Sequence, residues 1–484
     1  MDIQKLSDKK LLHKIMLYML PVLLISIIFM IYAKSINYNI IGGDDEKFTI
    51  LLSEQYNSKG IVKRIFTSNV FPDMAGYCYR PMLTVSFYFD NKISGNKPLL
   101  STSHAVSIAL HIISTLLLFY FLKKYYFDLY KSFIASLIFA VSPVIAETVI
   151  WLPGRNDSIL FIFIILSFMF FIDYNENTKH KKTNLIFHLV FYFIALLTKE
   201  NAIGFSLLCF YYMIVRKYPE KSKFCAYWFI LTLLYFIIRS QITNLSYTWH
   251  HIFNFKDFIV NLNMIADYFS SSFFLSGIRT FVPVNALTFI KGISVILLLL
   301  FFSVRSPNRR LCIFFFSWAI IFLLPNFFVE RAHFQGNRMY VPLMGLIICS
   351  AMIFESNIKT GLQKYIFIAV LVLFVSFSIV KTNHRIVNFQ NAISFWHHEK
   401  MNSNSDWIAH QYALALAKNG YYAESIKELE HLIYDRKNAT KKIILDYSLI
   451  CRLSGNTDKA DKILHDFNIN SDKNLPKDSS AQSS

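Results

Sequence analysis

Charged residues stand together at several points where long apolar stretches of this sequence end. The first group is Asp44-Asp45-Glu46, which follows two glycines. Adjacent carboxylates suit a general base that takes a proton from a hydroxyl group, and they also suit a metal ligand. An ordinary acidic loop would have the same pattern. Asp44 and Asp45 are therefore candidates for either chemical role.

Two arginines are candidates for binding a phosphate group. Arg80 stands in the motif Tyr79-Arg80-Pro81, and Arg338 lies in the segment NRMYVP. The guanidinium group offers a planar fork of donors that matches a phosphate. The alternatives are a solvated arginine at position 80 and, for Arg338, anchoring at the membrane interface together with Tyr340.

Two further groups of charges lie in turns between apolar stretches. Glu147, Arg155 and Asp157 share one such turn, and Lys199 and Glu200 share another. A charge close to lipid is expensive, so it usually marks a functional site or a structural ion pair. The structural alternatives are an ion-pair network among the first three residues and an internal pair between the last two.

The composition shows which elements must position these residues. Hydrophobic residues make up 54% of the 484 positions, including 48 Phe, and charged residues make up 17%. One globular core cannot hide so much apolar surface, so lipid must be the solvent for many side chains. The net charge of +18 then indicates basic cytoplasmic loops rather than nucleic acid binding.

The chain is predicted to be an all-α polytopic membrane protein. A membrane span needs about 20 mostly apolar residues. Eleven stretches satisfy this requirement approximately: 15–33, 105–122, 132–150, 158–172, 185–197, 203–215, 224–238, 287–304, 311–329, 341–354 and 365–380. Residues 258–278 contain polar side chains and are predicted to form a helix at the membrane surface or a partly re-entrant helix.

The basic residues predict the orientation of these spans. Lys and Arg cluster before the first span and after the even-numbered spans, which places the N-terminus in the cytoplasm. An odd number of spans then places the C-terminal tail outside. The candidate charges fall on the external side as well.

Three regions follow from this arrangement. Residues 1–382 form a transmembrane domain whose first external loop covers 34–102. Residues 383–473 are expected to form external tetratricopeptide-like helical repeats, because Gly420 and Ser425 are matched 35 residues later by Gly455 and Ala460. The alternative for this region is a plain helical tail. Residues 474–484 are rich in Ser, Lys and Asp, and we expect them to be disordered.

The motifs taken together resemble a known family. Their order is YRP, His104 and His111, SPVIAETVIWLPGRND, LLTKENAI and NRMYVPLMG, followed by the repeat-like tail. This order resembles the transmembrane-and-tetratricopeptide-repeat proteins, which are GT-C membrane glycosyltransferases related to the protein O-mannosyltransferases. The sequence departs from the family pattern at Asn337, where an acid is common, and in its short tail.

The resemblance implies a GT-C-like bundle of about 11 transmembrane helices that transfers a sugar from a polyprenyl-phosphate donor. It implies that Asp44 or Asp45 activates the acceptor hydroxyl. The residues that would hold the donor phosphate or shape the site are Arg80, Glu147, Arg155, Asp157, Lys199, Glu200 and Arg338. The acceptor is expected to be a protein or glycan outside the cytoplasm, and the short tail and AT-rich residue usage suggest a bacterial inner membrane, with the repeats in the periplasm.

Other functions fit the same sequence. The sugar acceptor could be a lipid or a polysaccharide, and a transporter or scaffold with an external repeat domain is a non-enzymatic alternative. Transporters place charges near the middle of the membrane, whereas here they gather at one face. No cofactor is predicted. A divalent metal is compatible with the acids, but no spacing indicates one, and His104 and His111 are read as buried hydrogen-bonding residues.

Overall fold

The described residues of the computed structural model form helices joined by short turns. The structure describes residues 2–42, 44–46, 48, 58–69, 79–95, 99–176, 179–243, 255–275, 278, 280, 285–328, 334–358 and 360–469. The helices are α1 (Asp2–Tyr32), α2 (Asp44–Glu46), α3 (Ile61–Thr67), α4 (Pro81–Ser94), α5 (Leu99–Tyr125), α6 (Leu129–Ala140), α7 (Ala146–Ile150), α8 (Arg155–Glu176), α9 (Lys181–Thr198), α10 (Ile203–Arg216), α11 (Lys221–Ser240), α12 (Phe255–Phe274), α13 (Ala286–Arg305), α14 (Arg309–Leu323), α15 (Tyr340–Asn357), α16 (Gly361–Val387), α17 (Ala392–Met401), α18 (Asp406–Lys418), α19 (Tyr422–Glu430), α20 (Lys441–Leu453) and α21 (Thr457–Asp466).

The structure supports a protein that crosses the membrane several times, but fewer of its helices qualify than the eleven predicted. Helices occupy all eleven predicted ranges. Within the described residues, eight are long and apolar enough to span, or nine if the bent pair α6–α7 counts as one span. The eight are His13–Asn37, Leu99–Tyr125, Leu152–Glu176, Lys221–Ser240, Ala286–Arg305, Arg309–Phe328, Gly336–Asn357 and Gly361–Val387. Helices α9 and α10, with 18 and 14 residues, are the two predicted spans that do not meet this requirement of length and apolarity.

The predicted span 132–150 is not one straight helix. The chain bends by 47° between Leu129–Ala140 and Pro143–Ile150. Ser142 has an extended backbone (φ −70°, ψ 120°) because a residue before proline is pushed out of the helical region. Pro143 also lacks the N–H that would continue the helical hydrogen bonds. The break turns α7, and with it Glu147, away from the axis of α6.

Helix α12 covers most of the segment predicted to lie at the membrane surface or to be re-entrant. It is a regular helix that packs along α13, and it is absent from the eight qualifying helices. The two backbones approach so closely at Gly292 that a Cβ atom there would lie 1.8 Å from the carbonyl oxygen of Ala266. Asn261 in α12 is buried and donates to the carbonyl of Phe327. The polar residues of this helix thus include side chains that face protein, and its membrane placement stays a prediction.

A dense aromatic core fixes the helices that carry the candidate site. Phe168 of α8 contacts the rings of Phe121, Phe205 and Trp318, which belong to α5, α10 and α14. Large rigid rings bury much apolar area and pack in defined geometries. This core holds the helices at fixed positions, so the polar ends described below occupy fixed positions as well.

The chain divides into two compact units, residues 1–390 and 391–484. In the second unit, helices α18 and α20 begin 35 residues apart, as do α19 and α21. The turns between paired helices contain Gly420 and Gly455 with φ of 83° and 85°, a backbone conformation that glycine adopts without strain. Residues 474–484 lie outside the described residues.

Small residues bring each pair of helices in this unit together. Ser425 donates to the carbonyl of Ala413 across the first pair. Ser448 donates to the carbonyl of Ala460 across the second, with serine and alanine exchanged between helices. Both contacts lie at equivalent places of the 35-residue period. The unit therefore has an internal structural repeat, and its assignment to the tetratricopeptide family stays a prediction.

Candidate active site

Arg155 is buried in an ion pair at the start of α8. Its Nη1 lies 2.5 Å from Oδ2 of Asp90 in α4, and neither side chain is exposed. Its Nη2 donates to the carbonyl of Ser103, whose hydroxyl donates to Asp90. A buried charge needs such a set of partners to offset the loss of water. This cluster ties α4, α5 and α8 together.

The acidic segment of the first loop lies next to this cluster. Helix α2 packs against the turn Leu152–Gly154, which leads directly into Arg155. Phe48 stacks on Phe87 with ring centroids 4.6 Å apart, and the Arg155 guanidinium lies 4.2 Å from the same Phe87 ring. Apolar packing therefore holds the end of the acidic segment beside α8.

The structure describes the side chain of Asp45 and only the backbone of Asp44. Asp45 is buried, and its Oδ2 accepts a hydrogen bond of 3.1 Å from the backbone N–H of Ile41. The backbone of Asp44 belongs to the same helical turn, and its side chain lies outside what the structure describes. The described geometry thus fixes the orientation of one of the two carboxylates.

Asp157 joins three of the sequence motifs. Its Oδ1 lies 2.7 Å from Nζ of Lys199, and its Oδ2 accepts a hydrogen bond of 2.8 Å from the amide of Asn337. Burial lowers the pKa of Lys199 below its usual value, with Asp157 opposing this shift and Arg80 adding to it. The turn after α9 and the turn before α15 are therefore fastened to the first turn of α8.

Arg80 and Glu200 form a second ion pair beside Lys199. Nη2 of Arg80 lies 2.6 Å from Oε1 of Glu200, and Nε lies 3.3 Å from Oε2, so the contact is bidentate. Burial alone would raise the pKa of Glu200, but the Arg80 guanidinium outweighs it and holds that pKa well below its ordinary value. Both side chains keep some exposure, 24% for Arg80 and 31% for Glu200.

Glu147 fastens the turn that carries Arg338. Its Oε2 accepts a hydrogen bond of 3.1 Å from the backbone N–H of Gly336. The same oxygen lies 3.5 Å from Nη2 of Arg385, in the last turn of α16. A Cβ atom on Gly336 would lie 2.3 Å from the carbonyl oxygen of Val144, so only glycine fits this approach.

Arg338 differs from the other candidate cations. Its backbone lies in the turn Gly336–Met339, between the two anchored residues Gly336 and Asn337 and the start of α15. Among the described residues no carboxylate forms an ion pair with it, and its Nη1 is a buried atom without a hydrogen-bond partner. Its side chain as a whole is partly exposed. It is thus a positioned cation whose charge the described part of the protein leaves available.

The structure brings most of the predicted residues into one region. Their ion pairs, however, are not the pairs that the sequence suggested as structural alternatives to a functional site. Glu147, Arg155 and Asp157 form ion pairs with Arg385, Asp90 and Lys199 instead of with one another. Lys199 and Glu200 likewise pair with Asp157 and Arg80, so an internal pair between neighbours is wrong. Helical geometry explains this, since adjacent side chains point in different directions whereas ends of separate helices face each other.

Three residues of the region escaped sequence reasoning, as did the contact that a fourth makes. Asp90 and Ser103 hold Arg155, Arg385 holds Glu147, and Asn337 binds Asp157, although Asn337 was noted as a departure from the family pattern. A signal for Asp90 existed, because it lies three residues after buried Phe87 on one face of α4. Arg385 gave no local signal, since an arginine at the end of an apolar helix is ordinarily read as an interfacial anchor.

The buried histidines do not form a metal site in the described part of the chain. His111 contacts the hydroxyl of Tyr340 at 2.7 Å and the carbonyl of Ala140 at 3.1 Å. Among the described residues there is no group of three or more His, Cys, Asp or Glu side chains with metal-binding geometry. Glu330, Arg331 and His333, which precede the NRMYVP segment in the sequence, lie outside the described residues.

Comparison with known proteins supports the resemblance that the motifs indicated. The family described as Dolichyl-phosphate-mannose-protein mannosyltransferase matches residues 92–247. Mouse Protein O-mannosyl-transferase TMTC1 is 35% identical over 92 residues, which are 19% of this chain and 10% of the mouse protein. Mouse Protein O-mannosyl-transferase TMTC2 is 36% identical over 94 residues, or 19% of this chain and 11% of the relative.

Longer matches are more distant. A Caenorhabditis elegans Protein O-mannosyl-transferase, F38B6.6, is 28% identical over 175 residues, 34% of this chain and 24% of the relative. The chain thus matches about a tenth to a quarter of the length of these relatives.

Among solved structures, the crystal structure of ArnT from Cupriavidus metallidurans bound to undecaprenyl phosphate covers 84% of this chain and 73% of ArnT. The identity is 12% and the TM-score 0.43. The family match covers the segment that holds Glu147, Arg155, Asp157, Lys199 and Glu200. Together with the relatives, it confirms that this chain is similar to membrane glycosyltransferases of the protein O-mannosyltransferase type.

Proposed function

We propose that this protein transfers a sugar from a polyprenyl-phosphate donor to an acceptor on the external face of the membrane. One observation carries the proposal. Four separate turns of the membrane unit are joined by contacts of Asp157, Glu147 and Glu200, and one of these turns carries a partly exposed arginine, Arg338, that has no carboxylate partner among the described residues. A site of fixed charges at helix ends suits a substrate with a lipid tail in the bilayer and a phosphate at its surface.

The acid of the first loop is proposed to be the general base. The acceptor hydroxyl attacks the anomeric carbon of the sugar, and its proton passes to a carboxylate as the bond between that carbon and the phosphate oxygen breaks. Asp45 is the better supported acid, since its carboxylate is oriented by the N–H of Ile41. Asp44, which belongs to the same turn, is the alternative.

The leaving phosphate gains negative charge, so a fixed cation near it lowers the barrier. The geometry ranks the four candidate cations for this role. Arg155 is fully buried against Asp90, and Lys199 is buried against Asp157, so both are proposed to shape the site. Arg338 is proposed to bind the phosphate. Arg80, which is paired with Glu200 and partly exposed, is proposed as a second cation.

The finer parts of the proposal concern topology and acceptor. We propose eleven spans, with α9 and α10 as short spans inside the bundle, an N-terminus in the cytoplasm of a bacterium, and the helical-repeat unit in the periplasm. A protein is the proposed acceptor, because the matched relatives are named protein O-mannosyl-transferases and paired-helix repeats present extended binding surfaces. The proposed sugar is mannose, for the same reason.

The test is a transfer assay with purified protein in lipid nanodiscs, radiolabelled polyprenyl-phosphate mannose or glucose, and periplasmic proteins as acceptors. Asp45→Asn or Asp44→Asn should abolish transfer, because an amide accepts no proton. Glu46→Gln, in the same helical turn, is the matched control and should retain transfer. Full activity in both aspartate variants would remove the first loop from the mechanism.

Two further outcomes concern the alternatives. Label recovered in lipid or polysaccharide and not in protein would keep the enzyme and change its acceptor. No transfer with any acceptor, combined with passage of a labelled sugar phosphate into proteoliposomes, would replace the enzyme with a transporter.

A further inference from the structure

Arg385 belongs to α16, the last long helix of the membrane unit, and it forms an ion pair with Glu147 of the candidate site. It lies 40 residues after the end of the NRMYVPLMG motif, in the final turn of α16, and it is 4% exposed. Its Nη2 lies 3.5 Å from Oε2 of Glu147 and donates a hydrogen bond of 2.7 Å to the hydroxyl of Thr280. Its guanidinium also lies 4.8 Å from the centre of the Phe389 ring. These contacts orient the guanidinium toward Glu147.

Glu147 depends on a cation because it is almost completely buried, at 3% exposure. An ionised carboxylate in that environment is unstable unless a positive charge and hydrogen-bond donors compensate it. Arg385 is a cation at ion-pair distance from Glu147, and Gly336 is a backbone donor to it. A charged acceptor also strengthens the bond that it receives from Gly336.

The bond to Gly336 determines where Arg338 lies. Gly336 has no room to move toward Val144, and the next residue, Asn337, is fastened to Asp157. The turn Gly336–Met339 is therefore held on one side by Glu147 and on the other by Asp157. Arg338 follows these two anchors directly.

We infer that Arg385 is a positioning residue for the phosphate-binding turn, acting on Arg338 through Glu147 and Gly336. This inference rests on the proposed function, in which Arg338 binds the donor phosphate. A cation that is held in place before the substrate arrives needs no reorganisation when charge develops on the leaving group. Arg385 would thus support catalysis without touching the substrate.

The first variant is Arg385→Met, with Arg385→Lys as the conservative replacement. Arg385→Met should lower kcat/KM for the donor by about tenfold to a hundredfold, because a small misplacement of a binding group costs that much. The KM for the acceptor should not change. Arg385→Lys keeps the charge and should restore most of the loss. Lys381→Met, an exposed lysine on the same helix, is the matched control and should have no effect.

A second variant separates positioning from simple loss of folding. Arg385→Met removes a compensating cation from the buried Glu147 carboxylate, whereas Glu147→Gln in the same chain removes the carboxylate charge and keeps an oxygen that can accept from Gly336. The double variant should therefore recover donor binding relative to Arg385→Met alone. A double variant whose free energy of unfolding recovers while its donor binding stays as weak as in Arg385→Met would show a structural role without a link to the turn, and that result would overturn the inference.

Binding of fluorescent polyprenyl phosphate without a sugar distinguishes this inference from the proposed function. Arg338→Met should weaken this binding, and adding Arg385→Met to it should weaken it no further, because Arg385 acts through Arg338. Additive losses would overturn the positioning role. If these binding results hold while no sugar is transferred by the unmodified protein, the proposed function fails and the positioning role stands.

Discussion

The two ends of helix α8 carry similar charges in opposite surroundings. At its beginning, Arg155 and Asp157 form ion pairs in which no side chain is more than 8% exposed. At its other end, Asp173 pairs with Lys124 and Glu176 pairs with Arg216, and these side chains are 23% to 41% exposed. The same types of residue therefore have different energetic roles on one helix.

The difference shows at which end of α8 the ion pairs fix the positions of the side chains. An exposed pair is screened by water and contributes about 0–1 kcal/mol. A buried pair gains little net stability, yet removing one partner leaves a charge without water, which costs about 3–5 kcal/mol. The beginning of α8 is therefore the end at which a small change in sequence disturbs structure, and it is the end where the sequence motifs meet.

The largest effect is expected for Arg155→Met. It leaves Asp90 buried and charged, so the free energy of unfolding should fall by about 3–5 kcal/mol. SDS-induced unfolding in mixed micelles, followed by tryptophan fluorescence, would measure this change. The double variant Arg155→Met with Asp90→Asn should be less destabilised than the single one, and equal stability of the two would contradict the role assigned to the pair.

A large effect on activity is expected for Gly336→Ala. Its Cβ would lie 2.3 Å from the carbonyl of Val144, so the turn must move and carry Arg338 with it. We expect kcat/KM for the donor to fall by about tenfold or more. Gly361→Ala is the matched control, because a Cβ atom there meets nothing within 4 Å. Similar losses in both variants would show that the close approach has no special importance.

A pH effect is expected for Lys199, whose pKa burial lowers. As the pH rises through that lowered pKa, Lys199 loses its proton and Asp157 loses its cation, so activity should decline at a lower pH than an exposed lysine would dictate. Between the lowered pKa of Lys199 in the folded protein and its ordinary pKa in the unfolded chain, the unfolded chain binds more protons than the folded one. The Lys199 contribution therefore makes stability rise with pH in this range. Activity should therefore fall without a loss of stability attributable to this group.

Lys199→Arg checks this assignment, because an arginine stays protonated throughout the accessible range. Where the variant retains activity, its alkaline decline should move to higher pH. A pH–activity profile of kcat/KM for both proteins is the measurement. An unchanged alkaline limb would assign the decline to another group.

The smallest effect is expected for Arg216→Met at the other end of α8. Glu176 is 37% exposed and still accepts a hydrogen bond from the hydroxyl of Tyr218, so it is not stranded. We expect a change of about 0–1 kcal/mol in the free energy of unfolding and no change in kcat/KM. A loss comparable to that of Arg155→Met would break the comparison between the two ends.

Much of the architecture was predictable from the sequence, because apolar runs of about 20 residues have few stable alternatives in lipid. Helices were found in every predicted range, and even the break before Pro143 could have been anticipated from its missing N–H. The number of spans was less predictable. Helices α9 and α10, with 18 and 14 residues, do not reach the length and apolarity of a span, although both lie in predicted ranges.

The sequence by itself determined which charged residues were worth attention, since charges next to lipid are expensive and seldom lack a role. Only the tertiary structure decided their partners. Asp90 with Arg155, Asp157 with Asn337, and Glu147 with Arg385 are separated by 65, 180 and 238 positions. No local pattern encodes such contacts, because they arise when the packed aromatic core brings the ends of distant helices together. Arg338 emerged as the available cation only after those partners had been assigned.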